Sequence, residues 1–135
     1  MKFLLDNNLP PAFATALDSL SRREGFGSVH HLRDFFDPGI SDVDWITELG
    51  TDGGWAAISG DTRIRTRPHE LAAFQAAQLV LVTLAPGWPK LRFWEKAALL
   101  IRCWPDICAA VEGATRPSLF EVATRPGISG IRKVI

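Results

Sequence analysis

Lys2-Phe3-Leu4-Leu5-Asp6-Asn7-Asn8-Leu9-Pro10 runs from an apolar stretch into an aspartate and then into turn residues. Phe3-Leu4-Leu5 lacks polar alternation, so it reads as a strand buried on both faces, the kind found in parallel sheets covered by helices. Asn7, Asn8, Pro10 and Pro11 then make a turn and open a helix, where proline is tolerated because the first amides have no intrahelical partner. Asp6 therefore stands at the C-terminal lip of a buried strand. The same grammar recurs in Trp55-Ala56-Ala57-Ile58-Ser59-Gly60-Asp61, with a second acid just past a second apolar run.

Working outward, Phe13, Ala16, Leu17 and Leu20 recur at helical spacing, and Gly25 or Gly27 supplies a stop. Ser28 to Leu32 is expected as a second strand, followed by an irregular loop from Asp34 to Ile40. Ser41-Asp42-Val43-Asp44 opens the next helix as a capping-box variant, with the serine hydroxyl bonding the amide three residues on and an acid reaching back. Gly50, Gly53 and Gly54 end it before the Trp55–Ser59 strand. Pro68 to Ala77 is a proline-initiated helix and Leu79 to Val82 a fourth strand.

Four strands alternating with three helices predict a mainly parallel sheet with right-handed crossovers. Further on, Trp94, Ala97, Ile101, Trp104, Cys108 and Val111 mark one face of a long helix. Pro105 falls inside it, and an internal proline costs about 3 kcal/mol, so a kink or a break near Trp104 is expected. Ser118 to Ala123 is a candidate fifth strand at an edge. The stretch 125–135 has a weak apolar alternation that either pairs late or stays loose.

A chain of 135 residues fits a single domain over 1–135 and is long enough to bury a sizeable core. Fifteen acidic residues balance fifteen basic ones, so net charge supplies no argument for nucleic acid, and any such argument must be local. No stretch reaches the ~20 apolar residues of a membrane span, and the N-terminus enters a strand without a basic, apolar leader. The expectation is a cytoplasmic protein with no membrane partner. Cys103 and Cys108 match neither a zinc ligand set nor a disulfide framework and read as core thiols.

Ligands of doubly wound sheets bind in the crevice beyond the strand carboxyl ends, so Asp6 and Asp61, delivered by separate strands, are expected to converge. Asp42, in the first turn of a helix whose N-terminus lies above the same crevice, is a third candidate. Carboxylates gathered without a cationic side chain hold a divalent ion, since like charges repel unless a cation or a shared proton relieves them. Each acid also has a structural role open to it. Asp42 suits the helix macrodipole, Asp44 the capping box, and Asp6 and Asp61 turns.

Taken in order, Lys2 to Pro10, Gly39-Ile40-Ser41-Asp42 and Ile58-Ser59-Gly60-Asp61-Thr62-Arg63-Ile64 resemble PIN-like domains, most closely ribonucleases of the VapC toxin type from bacterial toxin and antitoxin pairs. The resemblance implies an α/β/α three-layer fold with a mainly parallel sheet of four to five strands. It also implies a metal-dependent endoribonuclease in which Asp6, Asp42 and Asp61 are the catalytic and metal-binding acids for Mg²⁺ or Mn²⁺. Its implied partners are an RNA substrate, an antitoxin protein and a second copy in a homodimer. The family's fourth acid does not map, since Arg63 stands two residues after Asp61. Asp44 and Glu70 are the additional acids in reserve, with Glu70 the substitute for the fourth.

Arg63, Arg65 and Arg67 alternate behind Asp61, so in an extended segment they project to one side and suit RNA phosphates, or else form a solvated loop. His30 and His31 point to opposite faces of a strand and are read as strand filling rather than a metal pair. His69 is read as a helix surface residue. Asn7 and Asn8 stabilise the turn or orient a metal-bound water. Five tryptophans serve the core first and a partner surface second. The rival class is a PIN-like domain without catalysis, acting as a binding or regulatory module. A response-regulator-like receiver lacks the paired acids after the first strand.

Overall fold

The computed structural model describes residues 1–125 and 130–135. Strands β1 (Lys2–Leu5), β2 (Ser28–His31), β3 (Trp55–Ser59), β4 (Val80–Leu84), β5 (Ser118–Val122) and β6 (Ile131–Lys133) form one sheet in the order β2-β1-β3-β4-β5-β6. All pairs are parallel except β5 with β6. Helices α1 (Pro11–Glu24), α2 (Asp42–Asp52), α3 (Pro68–Ala77) and α4 (Phe93–Glu112) supply the outer layers.

Strand periodicity explains how both layers find apolar partners. Phe3, Leu5, Ala56, Ile58, Val80 and Val82 belong to a core shared with α1 and α4, whereas Leu4, Ala57 and Leu81 belong to a second core shared with α2 and α3. Successive side chains point to opposite faces, so an unbroken apolar strand serves two cores at once. The expected α/β/α arrangement is thus present, with six strands in place of four to five.

Three expectations need correction. β5 is interior, because Ile131–Lys133 pairs antiparallel along its outer side; residues 126–129 lie outside the described residues. Of the kink or break expected near Trp104, the break is absent, since α4 is one helix of 20 residues. Pro105 lies on its exposed side, as does Ile101, whose carbonyl loses its usual donor and can be hydrated there. The buried stripe is Leu100, Cys103, Trp104, Ile107, Cys108 and Val111, leaving Trp94 and Ile101 outward.

Cys103 and Cys108 are buried free thiols, and burial pushes Cys108 up to about 12. Four tryptophans are buried, and only Trp94 is not. Among the described residues no helix is long and apolar enough to cross a membrane.

Candidate active site at the carboxyl edge of the sheet

The register of β1 on β3 places Leu5 beside Ile58, so the next residues, Asp6 and Ser59, meet at the strand tips. The Asp6 amide donates to the Ile58 carbonyl at 2.9 Å, continuing the ladder. Its carboxylate is 5% exposed, accepting from the Asn7 amide on Oδ1 at 2.6 Å and from Ser59 Oγ on Oδ2 at 2.8 Å. Ser59 Oγ in turn accepts from the Asp61 amide at 3.1 Å, linking the two strand ends. Burial raises the Asp6 pKa; the two hydrogen bonds oppose the rise, and the charges of Asp42 and Asp61 add to it.

Asp61 caps a 3-10 turn over Thr62–Thr66, accepting from the Arg63 amide at 2.9 Å. The Arg63 guanidinium also chelates it, Nε to Oδ1 at 3.0 Å and Nη2 to Oδ2 at 3.3 Å. Partial burial pushes the Asp61 carboxyl up, but Arg63's hydrogen bonds and the charges of Arg63 and Arg67 outweigh it and hold the pKa below the usual value.

Arg67 is the hub that the sequence does not announce. Its Nη1 lies 3.2 Å from Glu70 Oε1, 3.5 Å from Asp61 Oδ2 and 3.9 Å from Asp42 Oδ2. One guanidinium nitrogen thus joins acids from the β3 tip, the first turn of α2 and the first turn of α3. Asp42 is held from its other side by Trp45 Nε1 at 2.8 Å. The expectation that no cationic side chain stands among these acids is therefore corrected.

The arginines do not form an extended, one-sided row. A 3-10 turn has three residues per turn, so residues two apart diverge. Arg65 pairs with Glu121 of β5 at 3.5 Å, while Arg63 and Arg67 turn to the acids. Ser41 caps α2 through the Asp44 amide, at 3.1 Å, but the Asp44 side chain is exposed and takes no part in the network around Arg67.

Asn7 bridges the Pro38 carbonyl and Arg33, and Asn8 accepts from the Gly60 amide at 3.0 Å, so both hold turns. A side chain at Gly60 would press on Asn8 at 3.3 Å. His31 is buried against the Leu9 carbonyl at 2.7 Å and His30 packs on Phe35 and Trp55, while His69 is exposed.

Ser59 is the site residue that sequence reasoning misses, whereas Arg67 is expected on RNA phosphates or in a solvated loop and instead faces the acids. Ser59 had a signal, as the lone hydroxyl ending an apolar strand.

The donors gathered here are carboxylate oxygens, the ligand type of Mg²⁺ and Mn²⁺. They already accept a cation, because Arg67 stands in for one among Asp42, Asp61 and Glu70. As the side chains stand, no group of three or more His, Cys, Asp or Glu among the described residues is arranged to hold a metal ion.

Fold and acids together define the class. A family model described as "PIN like domain" matches residues 1–86, from β1 into the loop after β4, and the chain belongs to the PIN-like domain family. PIN-like domains are generally nucleases. No curated protein and no solved structure matches the chain.

Proposed function

We propose that the protein is a metal-dependent endoribonuclease whose centre is Asp6, Asp42 and Asp61, with Glu70 beside them. The observation that carries this reading is Asp6. It is a buried carboxylate with no cationic partner among the described residues, held next to two further acids that raise its pKa. Such an arrangement weakens the fold, and strongly perturbed acids in a crevice mark functional sites.

Asp6, Asp42 and Asp61 would hold Mg²⁺ or Mn²⁺, which lowers the pKa of a bound water and neutralises charge growing on a phosphate. Ser59 and the Asn7 amide fix the Asp6 oxygens. Trp45 fixes Asp42, and the Arg63 amide fixes Asp61 at the head of its turn. Arg63, whose side chain is 70% exposed, keeps positive charge at the rim, where a phosphate would arrive. The resemblance of the three motif segments to VapC-type proteins extends the reading to a toxin acting on cytoplasmic RNA and silenced by an antitoxin protein.

The test is thermal unfolding with and without Mn²⁺, run beside cleavage of a labelled RNA pool, for wild type and Asp6→Asn. We expect stabilisation by Mn²⁺ and cleavage in the wild type, with both lost in the variant. A wild type that does neither would overturn the proposal. One observation favours the rival reading, a binding module without catalysis: Arg63 and Arg67 already neutralise Asp61 and its neighbours. That reading expects RNA binding unaffected by Mn²⁺ and no cleavage.

A further inference from the structure

Two hollows adjoin the acids. One, of about 340 Å³, is walled by Asn8, Gly60, Asp61, Arg63 and Pro89. The other, of about 180 Å³, shares Asn8, Gly60 and Pro89 and ends at Lys96 in the first turn of α4. The shared walls make them halves of one groove leading from Asp61 to Lys96. Arg63 stands at its acidic end. At its far end the Lys96 ammonium has no hydrogen-bond or ion-pair partner among the described residues, and no acid lines that half.

The segment forming the far wall concentrates positive charge in a chain with none overall. Lys90, Arg92 and Lys96 stand against the single acid Glu95, which is occupied in accepting from the Arg92 amide at 3.0 Å. Phe93 lies three residues before Lys96, on the same side of the helix. Its ring is 46% exposed, with one side on Phe13 at 5.1 Å between centroids. Trp94, 80% exposed, meets Phe93 edge-on at 5.4 Å and 87°. Cations at both ends of a groove, with exposed aromatic rings on the helix that carries one of them, are features that bind single-stranded nucleic acid, with ammonium and guanidinium groups on phosphates and rings stacking on bases.

The geometry points to this groove as the path of a single RNA strand leaving the acids, with Arg63 and Lys96 on its phosphates and Phe93 with Trp94 stacking a base. The inference rests on the nuclease reading for its choice of RNA. Its physical basis, charge and exposed rings beside one groove, does not require cleavage. Base pairs inside a duplex have both faces covered by their neighbours and offer none to the rings, so the occupant is single-stranded.

The test is fluorescence anisotropy of a labelled ten-residue oligouridine with the full chain in EDTA, where cleavage does not intervene. Lys96→Ala should weaken binding about five- to tenfold and flatten the plot of log affinity against log salt by about 0.7. Trp94→Ala, at an exposed position, should weaken it about fivefold or more, yet leave an abasic oligomer of equal length unaffected. Equal affinity of wild type and both variants would overturn the inference even if Mn²⁺-dependent cleavage is found. Equal affinity for duplex RNA would overturn it too. Losses in both variants without any cleavage by the wild type would sustain the groove and sink the nuclease.

Discussion

Arg67 Nη1 stands 3.5 Å from Asp61 Oδ2, and the same nitrogen reaches Asp42 and Glu70. On the nuclease reading, a cation supplied from within the chain holds the position that a divalent ion would claim, so the two would compete. Arg67→Gln removes the competitor while keeping an amide near the acids. The expected outcome is lower stability without metal and about tenfold tighter Mn²⁺ binding, equal to about 1.4 kcal/mol. Calorimetric titration of both proteins with Mn²⁺ checks it; equal or weaker binding by the variant would remove the competition.

Asp61 is held below the ordinary carboxylate range once its arginine partners outweigh burial. Asparagine caps a turn as well as aspartate does, so Asp61→Asn isolates the lost charge. We expect a loss of about 0.5–1 kcal/mol without metal, kept small because Arg63 is largely exposed. A gain in stability would mean that repulsion among the acids outweighs their pairing. Urea unfolding at pH 7 in EDTA measures it.

Asp6 has the opposite sign. Its folded pKa is raised, chiefly by burial, above the ordinary 3.8 of an unfolded chain. Its contribution is fully favourable below that value and is lost as pH climbs through the raised folded value. Each unit of separation is worth about 1.4 kcal/mol. Asp6→Asn should therefore gain stability relative to wild type as pH climbs above 3.8 and through the raised folded value. Subtracting the two pH profiles cancels most of the contribution from Asp61, which favours the fold above 3.8 and fails only on acidification. A flat difference profile would show that Asp6 is charged at no cost.

Gly50 lies where α2 crosses α3, and a methyl group there would sit 2.6 Å from Ala77 Cβ and 2.7 Å from its Cα. Backbone must shift to admit it. Gly50→Ala should cost about 1–3 kcal/mol through overpacking, despite the better helix propensity of alanine. Thermal unfolding reads the sign, and stabilisation would mean that the two helices part freely.

Much of the fold is legible along the chain because each buried strand carries its own signal. Phe3-Leu4-Leu5 and Trp55 to Ser59 are apolar on both faces, and Pro11, Pro68 and Ser41 mark helix starts by local chemistry. Pro105 does not end α4, because the cost of an internal proline depends on where the freed carbonyl lies, and in α4 it lies on the solvent side. The stripe through Trp94 and Ile101 misleads because steps of three and four can run through Leu100 as well as Ile101, and the helix buries Leu100. Strand β6 is short, with two of its three residues charged, so only its pairing with β5 reveals it.

Local chemistry along the chain places Asp6 and Asp61 at the ends of buried strands and Asp42 at a helix start, since strand, turn and cap each depend on neighbouring residues. Tertiary structure alone decided what these acids face. Ser59 reaches Asp6 across 53 residues because β1 and β3 pair in one register, and Arg67 reaches Asp42 because α2 and α3 pack side by side over the same sheet face. Charge pairing depends on distance in space. No spacing along the chain distinguishes an arginine aimed at phosphate from one aimed at its own carboxylates.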